Sequence, residues 1–190
     1  MTMPAFAEGL ISAWGSSATD VFAGGYAGSI VRWDGATWTK LASPASDRLE
    51  AIWGSGPTDV FAVGSAGTIL HWNGTTWATM ISGTTKRLFT VWGTGPSNVW
   101  AAGEDNTLLR YDGTTWAAAG SPINNWITGL AGTSAAEVYA VDAAGGFWRF
   151  DGSSWASHSP PSNNVYLSKL GAAGGSVFAV GGAGGLGVGR

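Results

Sequence analysis

The sequence contains no cysteine, so it holds no disulfide and no thiolate metal site. Charge is also scarce. Asp, Glu, Lys and Arg make up 11% of 190 residues, and the net charge is -3; about a quarter charged is usual. Without a basic patch there is no electrostatic footprint for nucleic acid, and no nucleic-acid partner is expected. No apolar run approaches the ~18 residues of a membrane-spanning helix, so no membrane span is expected. The opening MTMPAFAEGL lacks a basic segment ahead of an apolar core, and no signal peptide is expected in it. Little lysine beside abundant Gly, Ser, Thr and Trp points toward secretion. Gly-x-Ser-x-Gly, a phosphate loop and a metal-ligand cluster are all missing. The two histidines, His71 and His158, fall on a strand and in a loop. No catalytic residue, no metal and no cofactor are therefore expected.

What is plentiful is glycine and tryptophan, with 31 and 12 residues. Disordered chains are poor in aromatics, so the pairing reads as tight turns between packed strands. The residues recur. AWGSSATDVFAGG at Ala13 returns as IWGSGPTDVFAVG at Ile52 and VWGTGPSNVWAAG at Val91. Weaker copies are LAGTSAAEVYAVD at Leu130 and LGAAGGSVFAVGG at Leu170. The marker glycines Gly15, Gly54, Gly93, Gly132 and Gly171 stand 39 residues apart. A second motif keeps the same interval: RWDGATW, HWNGTTW, RYDGTTW and RFDGSSW, ending at Trp38, Trp77, Trp116 and Trp155.

Four strands, a to d, are predicted in each repeat. In the second they are Leu49–Trp53, Asp59–Gly64, Thr68–Trp72 and Thr76–Met80. Their short connections make an antiparallel meander. Asn-Gly and Asp-Gly between c and d predict two-residue hairpin turns, because both residues tolerate positive φ. Strand b, DVFAVG, is apolar on both faces and so needs a neighbour on each side. Sheets stacked radially meet that need. The reading is an all-β protein, a β-propeller of about five blades of four antiparallel strands, with a 39-residue period and an incomplete last blade. Residues 1–190 are read as one domain, with blades near 10–48, 49–87, 88–126, 127–166 and 167–190. Residues 1–6 are available as a strand for the last blade. Three assemblies stay open: a closed ring of five blades, which is favoured, a piece of a larger ring, and blades shared between chains. An open blade edge would invite self-association.

Positions kept in every repeat serve the blade itself. Trp33 and Trp38, Trp72 and Trp77, Tyr111 and Trp116, and Phe150 and Trp155 flank the c–d turns. They are expected to face each other and fill a core; the other reading is that such rings line sugar sites between blades. Asp34, Asn73, Asp112 and Asp151 occupy the turns themselves. Asp20, Asp59, Asn98 and Glu137 precede strand b, where they are expected to accept turn N–H groups. Arg32, Arg110 and Arg149 share a phase with His71. Each is expected to pair with an adjacent blade or to lie over an aromatic ring.

The DGxxW hairpin resembles the Asp-box of sialidase-like and sortilin-like propellers. It departs from that box because Asp34 directly precedes Gly35 and is itself preceded by Arg32 and Trp33. The rhythm of Trp- and Gly-rich blades, over nearly the whole chain, resembles tachylectin-type and related bacterial lectin propellers. That resemblance implies a ligand-binding, non-catalytic propeller.

The d–a and b–c loops vary most, and in propellers they share one face. They offer Tyr26, Arg48, Arg87, Glu104, Asp105, Trp126, Asp142 and Tyr166 as candidate ligand-binding residues at that rim. Aromatic, basic and acidic groups together suit a sugar. The leading expectation is lectin-like glycan recognition by the rim loops or between blades. The alternative is a protein-interaction propeller, or a structural or designed scaffold without a small ligand. A glycosidase is more distant, because it needs two carboxylates facing each other across a bond; the loops could supply such a pair, for instance Glu104 with Asp142, but nothing marks them for it.

Overall fold

The structure, a computed structural model, describes residues 9–159, 166–182 and 186–189. Among these residues there are five antiparallel sheets, one per repeat, each with its strands in sequence order. The first blade is β1 (Leu10–Ser17), β2 (Asp20–Gly25), β3 (Ile30–Trp33) and β4 (Trp38–Leu41). The second is β5 (Leu49–Gly56), β6 (Asp59–Gly64), β7 (Ile69–Trp72) and β8 (Trp77–Met80). The third is β9 (Leu88–Gly95), β10 (Asn98–Gly103), β11 (Leu108–Tyr111) and β12 (Trp116–Ala118). The fourth is β13 (Ile127–Ser134), β14 (Glu137–Asp142), β15 (Phe147–Phe150) and β16 (Trp155–Ser157). The fifth has three strands, β17 (Tyr166–Ala173), β18 (Ser176–Gly182) and β19 (Leu186–Gly189). The expected N-terminal strand at 1–6 lies outside the described residues. The chain falls into two compact units, 1–91 and 92–190, divided within β9.

Strand a runs further than its sequence predicts. In the second blade it continues past Trp53 to Gly56, which pairs with Asp59. The register shifts between Gly54 and Gly56, so the glycines that looked like a strand end accommodate an irregularity within the strand. The b–c connection is a tight turn at Ser65–Gly67, closed by the Thr68 N–H donating to the Ser65 carbonyl at 3.0 Å. Ala66 and Gly67 there take φ of +53° and +70°. A Cβ on Gly67 would lie 2.0 Å from the Thr84 carbonyl oxygen, so this loop is pinned against the d–a loop by the absence of a side chain.

The c–d turn differs from the Asp-Gly prediction by one residue. The Asp34 N–H donates to the Thr37 carbonyl at 3.2 Å, which makes Gly35 and Ala36 the central pair. Only Gly35 has positive φ, +96°. Asp34 acts instead as an acceptor: its Oδ1 takes the N–H groups of Ala36 and Thr37 at 2.8 and 2.7 Å. Asn73, Asp112 and Asp151 do the same in their own turns. The expectation that aromatic pairs face each other across c and d is met. Trp33 lies opposite Trp38, Trp72 opposite Trp77, Tyr111 opposite Trp116 and Phe150 opposite Trp155.

These pairs fill gaps between blades. In the first unit, Phe22 of strand b packs on Trp72 and Trp77 of the next blade, with centroids 5.7 and 5.9 Å away. In the second unit, Trp100 meets Phe150 and Trp155 at 5.2 and 5.7 Å. Val60, Phe61, Ala62 and Val63 of β6 are fully buried, as a strand apolar on both faces requires. Trp33 and Trp38 begin the first unit with no preceding blade in that unit, and both are only half-buried.

The polar residues opening strand b work differently from expectation. They accept few turn amides; they link strands within their own blade. Asp20 accepts from Ser16 Oγ at 2.5 Å and from Arg32 Nε at 2.7 Å. Asp59 binds Ser55 and, at 2.7 Å, His71 Nε2. Glu137 accepts from Thr133 and Tyr139 hydroxyls and from Arg149 at 3.3 Å. The ion pairs of these basic residues are therefore within the blade, while the Arg32 guanidinium also lies 5.8 Å over the Trp72 ring of the next blade. Register explains the ion pairs. Arg32 stands directly opposite Phe22, and Asp20 shares the Phe22 face two residues back. The guanidinium then lies 5.0 Å over the Phe22 ring, as the aromatic alternative predicts.

Candidate functional site

The two variable loop sets do lie together. In the first, second and fourth blades a backbone hydrogen bond ties the b–c loop to the residue preceding strand a. The N–H of Tyr26 donates to Gly9, that of Ser65 to Arg48 and that of Ala143 to Trp126, at 3.0, 2.9 and 2.8 Å. Side chains that vary from blade to blade are thereby gathered at one end of these blades.

In the first unit two of the sequence candidates, Arg48 and Arg87, converge on a residue the sequence reading missed, Glu50. Its side chain is 7% exposed, and Arg48 Nε lies 2.9 Å from its Oε1. Arg87 Nε donates to the same oxygen at 2.6 Å, and Arg87 Nη2 also contacts it. Burying a carboxylate is costly unless it is paired, and here two guanidinium groups share it. Both arginines remain about one-third exposed, at 34% and 33%. The Arg48 guanidinium stacks 4.9 Å over Tyr26, whose ring is half-exposed, and that of Arg87 lies 5.2 Å over Phe89. A signal for Glu50 was present in the repeat. Its phase reads Ile11, Glu50, Phe89 and Thr128, so it is the lone acid there.

In the second unit the candidates separate. Trp126 is 47% exposed. Asp105 is exposed and Glu104 half-buried, and Asp105 and Asn106 both take positive φ, +50° and +54°. Asp142 is turned inward, with 4% exposure. Its Oδ1 accepts from Ala144 and Gly146 N–H at 2.8 and 2.9 Å, and its Oδ2 accepts from Trp148 Nε1 at 2.8 Å. Asp142 thus organises its own loop, so a glycosidase pair with Glu104 has no free second carboxylate. Tyr166 opens β17 opposite Gly182; its side chain lies outside the described residues. Among the described residues no group of three or more His, Cys, Asp or Glu could hold a metal ion, and no helix is long and apolar enough to cross a membrane.

The c–d turn acids are held ionised by their geometry. Backbone N–H groups of Ser154 and Ser153 lower the Asp151 pKa to about 2. Those of Thr37 and Ala36 lower Asp34, and those of Thr115 and Thr114 lower Asp112. Glu137 is lowered chiefly by the Thr133 hydroxyl, then by Tyr139. These shifts come from hydrogen bonds inside structural motifs, so they mark no catalytic acid.

No family model matches the chain, and no curated protein matches it. Solved structures do resemble it in fold. One described as YCF48 bound to D1 peptide matches with TM-score 0.74 and 15% identity, over 100% of this chain and 67% of that one. YCF48 from Cyanidioschyzon merolae matches with TM-score 0.70 and 16% identity, over 95% of this chain and 66% of that one. A chain of a nidogen/laminin complex matches with TM-score 0.72 and 13% identity, over 92% and 73%. The chain spans about two thirds of the length of the YCF48 structures. The fold is that of a β-propeller.

Proposed function

We propose that this chain is a non-catalytic, protein-binding propeller whose b–c and d–a loops take an acidic segment of a partner protein. The observation that carries the reading is the cluster of Arg48, Arg87 and Glu50 beside the half-exposed Tyr26. It offers two guanidinium groups held on one carboxylate, each about one-third exposed, and one of them stacked on an aromatic ring. Arg and Tyr in such settings are typical anchors of protein interfaces. Two structures of similar fold are described with a peptide or a protein complex, which supports the same direction. The glycan reading has one observation in its favour, the exposed rings of Tyr26 and Trp126. The aromatic pairs of blades two to four face the interior: Trp72, Trp77, Tyr111, Trp116, Phe150 and Trp155 are at most 7% exposed, so they present no ring face to a pyranose.

The test is a paired binding screen of capped peptides and of glycans, run on the wild type and on Arg48→Gln. This variant keeps Glu50 paired with Arg87, so the fold is retained. Acidic peptides are expected to bind, and to weaken about tenfold in Arg48→Gln, as for loss of one charge-assisted contact. Retention of neutral glycans, with no peptide sensitive to Arg48, would return the chain to the lectin class.

A further inference from the structure

Three blades place an acid on strand b against a base on strand c: Asp20 with Arg32, Asp59 with His71, and Glu137 with Arg149. The third blade keeps the geometry and loses the acid. Arg110 Nε donates to Asn98 Oδ1 at 2.9 Å, and the Asn98 amide donates to Thr94 Oγ1 at 2.8 Å. Asn98 is satisfied, yet the Arg110 charge is not neutralised by it. The guanidinium rests 5.0 Å over the Trp100 ring, with its side chain exposed. Asp112, two residues on, directs Oδ1 to the Thr114 and Thr115 amides.

Arg110 lines a groove of about 450 Å³ in the second unit, together with Ser97, Ser153 and the run Ala117, Ala118, Ala119 and Gly120. That run takes in the last two residues of β12, which is an edge of its sheet, and the two residues after it. The Ala119 N–H turns inward to Leu108 at 2.8 Å. By the alternation of an antiparallel ladder, the N–H and C=O of Ala118 point out of the sheet. Other blades carry Thr39, Lys40 and Leu41, or Ala78, Thr79 and Met80, at these positions. Lysine and bulky side chains guard an edge against strand addition; three methyl groups do not.

We propose that this groove is a docking site for an extended acidic peptide, which adds as a strand to the edge of β12 and places one carboxylate on the free fork of Arg110. Peptide addition to an exposed edge draws affinity from the backbone and specificity from side-chain contacts, and a bidentate carboxylate matches the guanidinium plane. A sugar acid fits less well. The rings bordering the groove, Trp100, Phe150 and Trp155, are 1%, 6% and 7% exposed, so none offers a face for stacking. This site uses none of the residues around Arg48 and Arg87 and does not rest on the rim reading.

The experiment titrates the whole chain with acetyl-Thr-Val-Asp-Val-Thr-amide and with the same peptide carrying Asn for Asp, read by amide and Arg side-chain NMR. The Asp peptide is expected to shift the amides of 117–120 and the Arg110 Nε–H saturably. Asn98→Asp restores the acid of the sibling blades, so it keeps the fold while neutralising the guanidinium charge. It is expected to weaken the Asp peptide about tenfold, as is Arg110→Gln, the size of one charge-assisted pair. Arg48→Gln should leave this binding unchanged. Equal binding of the two peptides, undiminished binding by Asn98→Asp, no binding of either peptide, or tighter binding of glucuronate would each overturn the proposal.

Discussion

Replacing Trp77 with alanine should destabilise the protein far more than the same change at Trp38, although both residues close the same hairpin in successive blades. Trp77 is 6% exposed, lies 5.8 Å from Trp72 and meets the Phe22 ring edge-on at 5.9 Å. A ring of this kind buries about 150–250 Å², which at roughly 25 cal/mol per Å² is about 4–6 kcal/mol. A compact denatured chain lowers that value, and a residual cavity raises it, so about 3–5 kcal/mol is expected. Trp38 also faces its partner, Trp33, at 5.7 Å, but it is half-buried and has no preceding blade in its unit. Its removal should cost about half as much. Urea titrations of the wild type and both variants, followed by far-UV circular dichroism, measure the difference. Trp77→Phe should recover much of the loss. Equal costs for Trp77→Ala and Trp38→Ala would refute the reasoning, because they would mean that contact with the neighbouring blade contributes nothing beyond the hairpin pair.

Two further outcomes follow from the turns. Asp151 has its pKa depressed to about 2 in the folded chain, so its stabilising effect is present above the unfolded value. It is lost as pH falls from about 4 through about 2. An NMR titration of its carboxyl should show this, and Asp151→Asn should keep the turn, as Asn73 does in its blade, while removing the dependence. Asp142→Ala strands the N–H groups of Ala144 and Gly146 and the Trp148 indole. It should cost about 1–3 kcal/mol in a denaturant titration and leave Arg48-dependent peptide binding unchanged.

Much of the fold was legible because a repeat samples each structural position several times. The phases Phe22, Phe61, Trp100, Tyr139 and Phe178 mark strand b, and the turn glycines mark the hairpins. What was misjudged lies where a side chain chooses between partners. Asp34 was placed at the centre of a turn, whereas it flanks the turn and accepts its amides. Arg32 was expected to pair with an adjacent blade or to lie over an aromatic ring; its ion pair is with Asp20 of its own sheet, and its guanidinium lies over Phe22 and over Trp72 of the next blade. Asp142 looked like a rim carboxylate because its loop varies, and only the loop's path shows three donors closing on it. Glu50 stood out as a lone acid in its phase, but its two guanidinium partners come from Arg48 and Arg87, 39 residues apart.

The sequence alone determined the sheets, because alternation, turn glycines and a 39-residue period are local properties that each repeat states again. Tertiary structure decided which charges are neutralised. Arg48 and Arg87 meet on one buried carboxylate, and Arg110 meets an amide where its siblings meet acids. Charge pairing acts over a few ångströms of space, and residues far apart in the chain are brought within that distance only when the blades have formed.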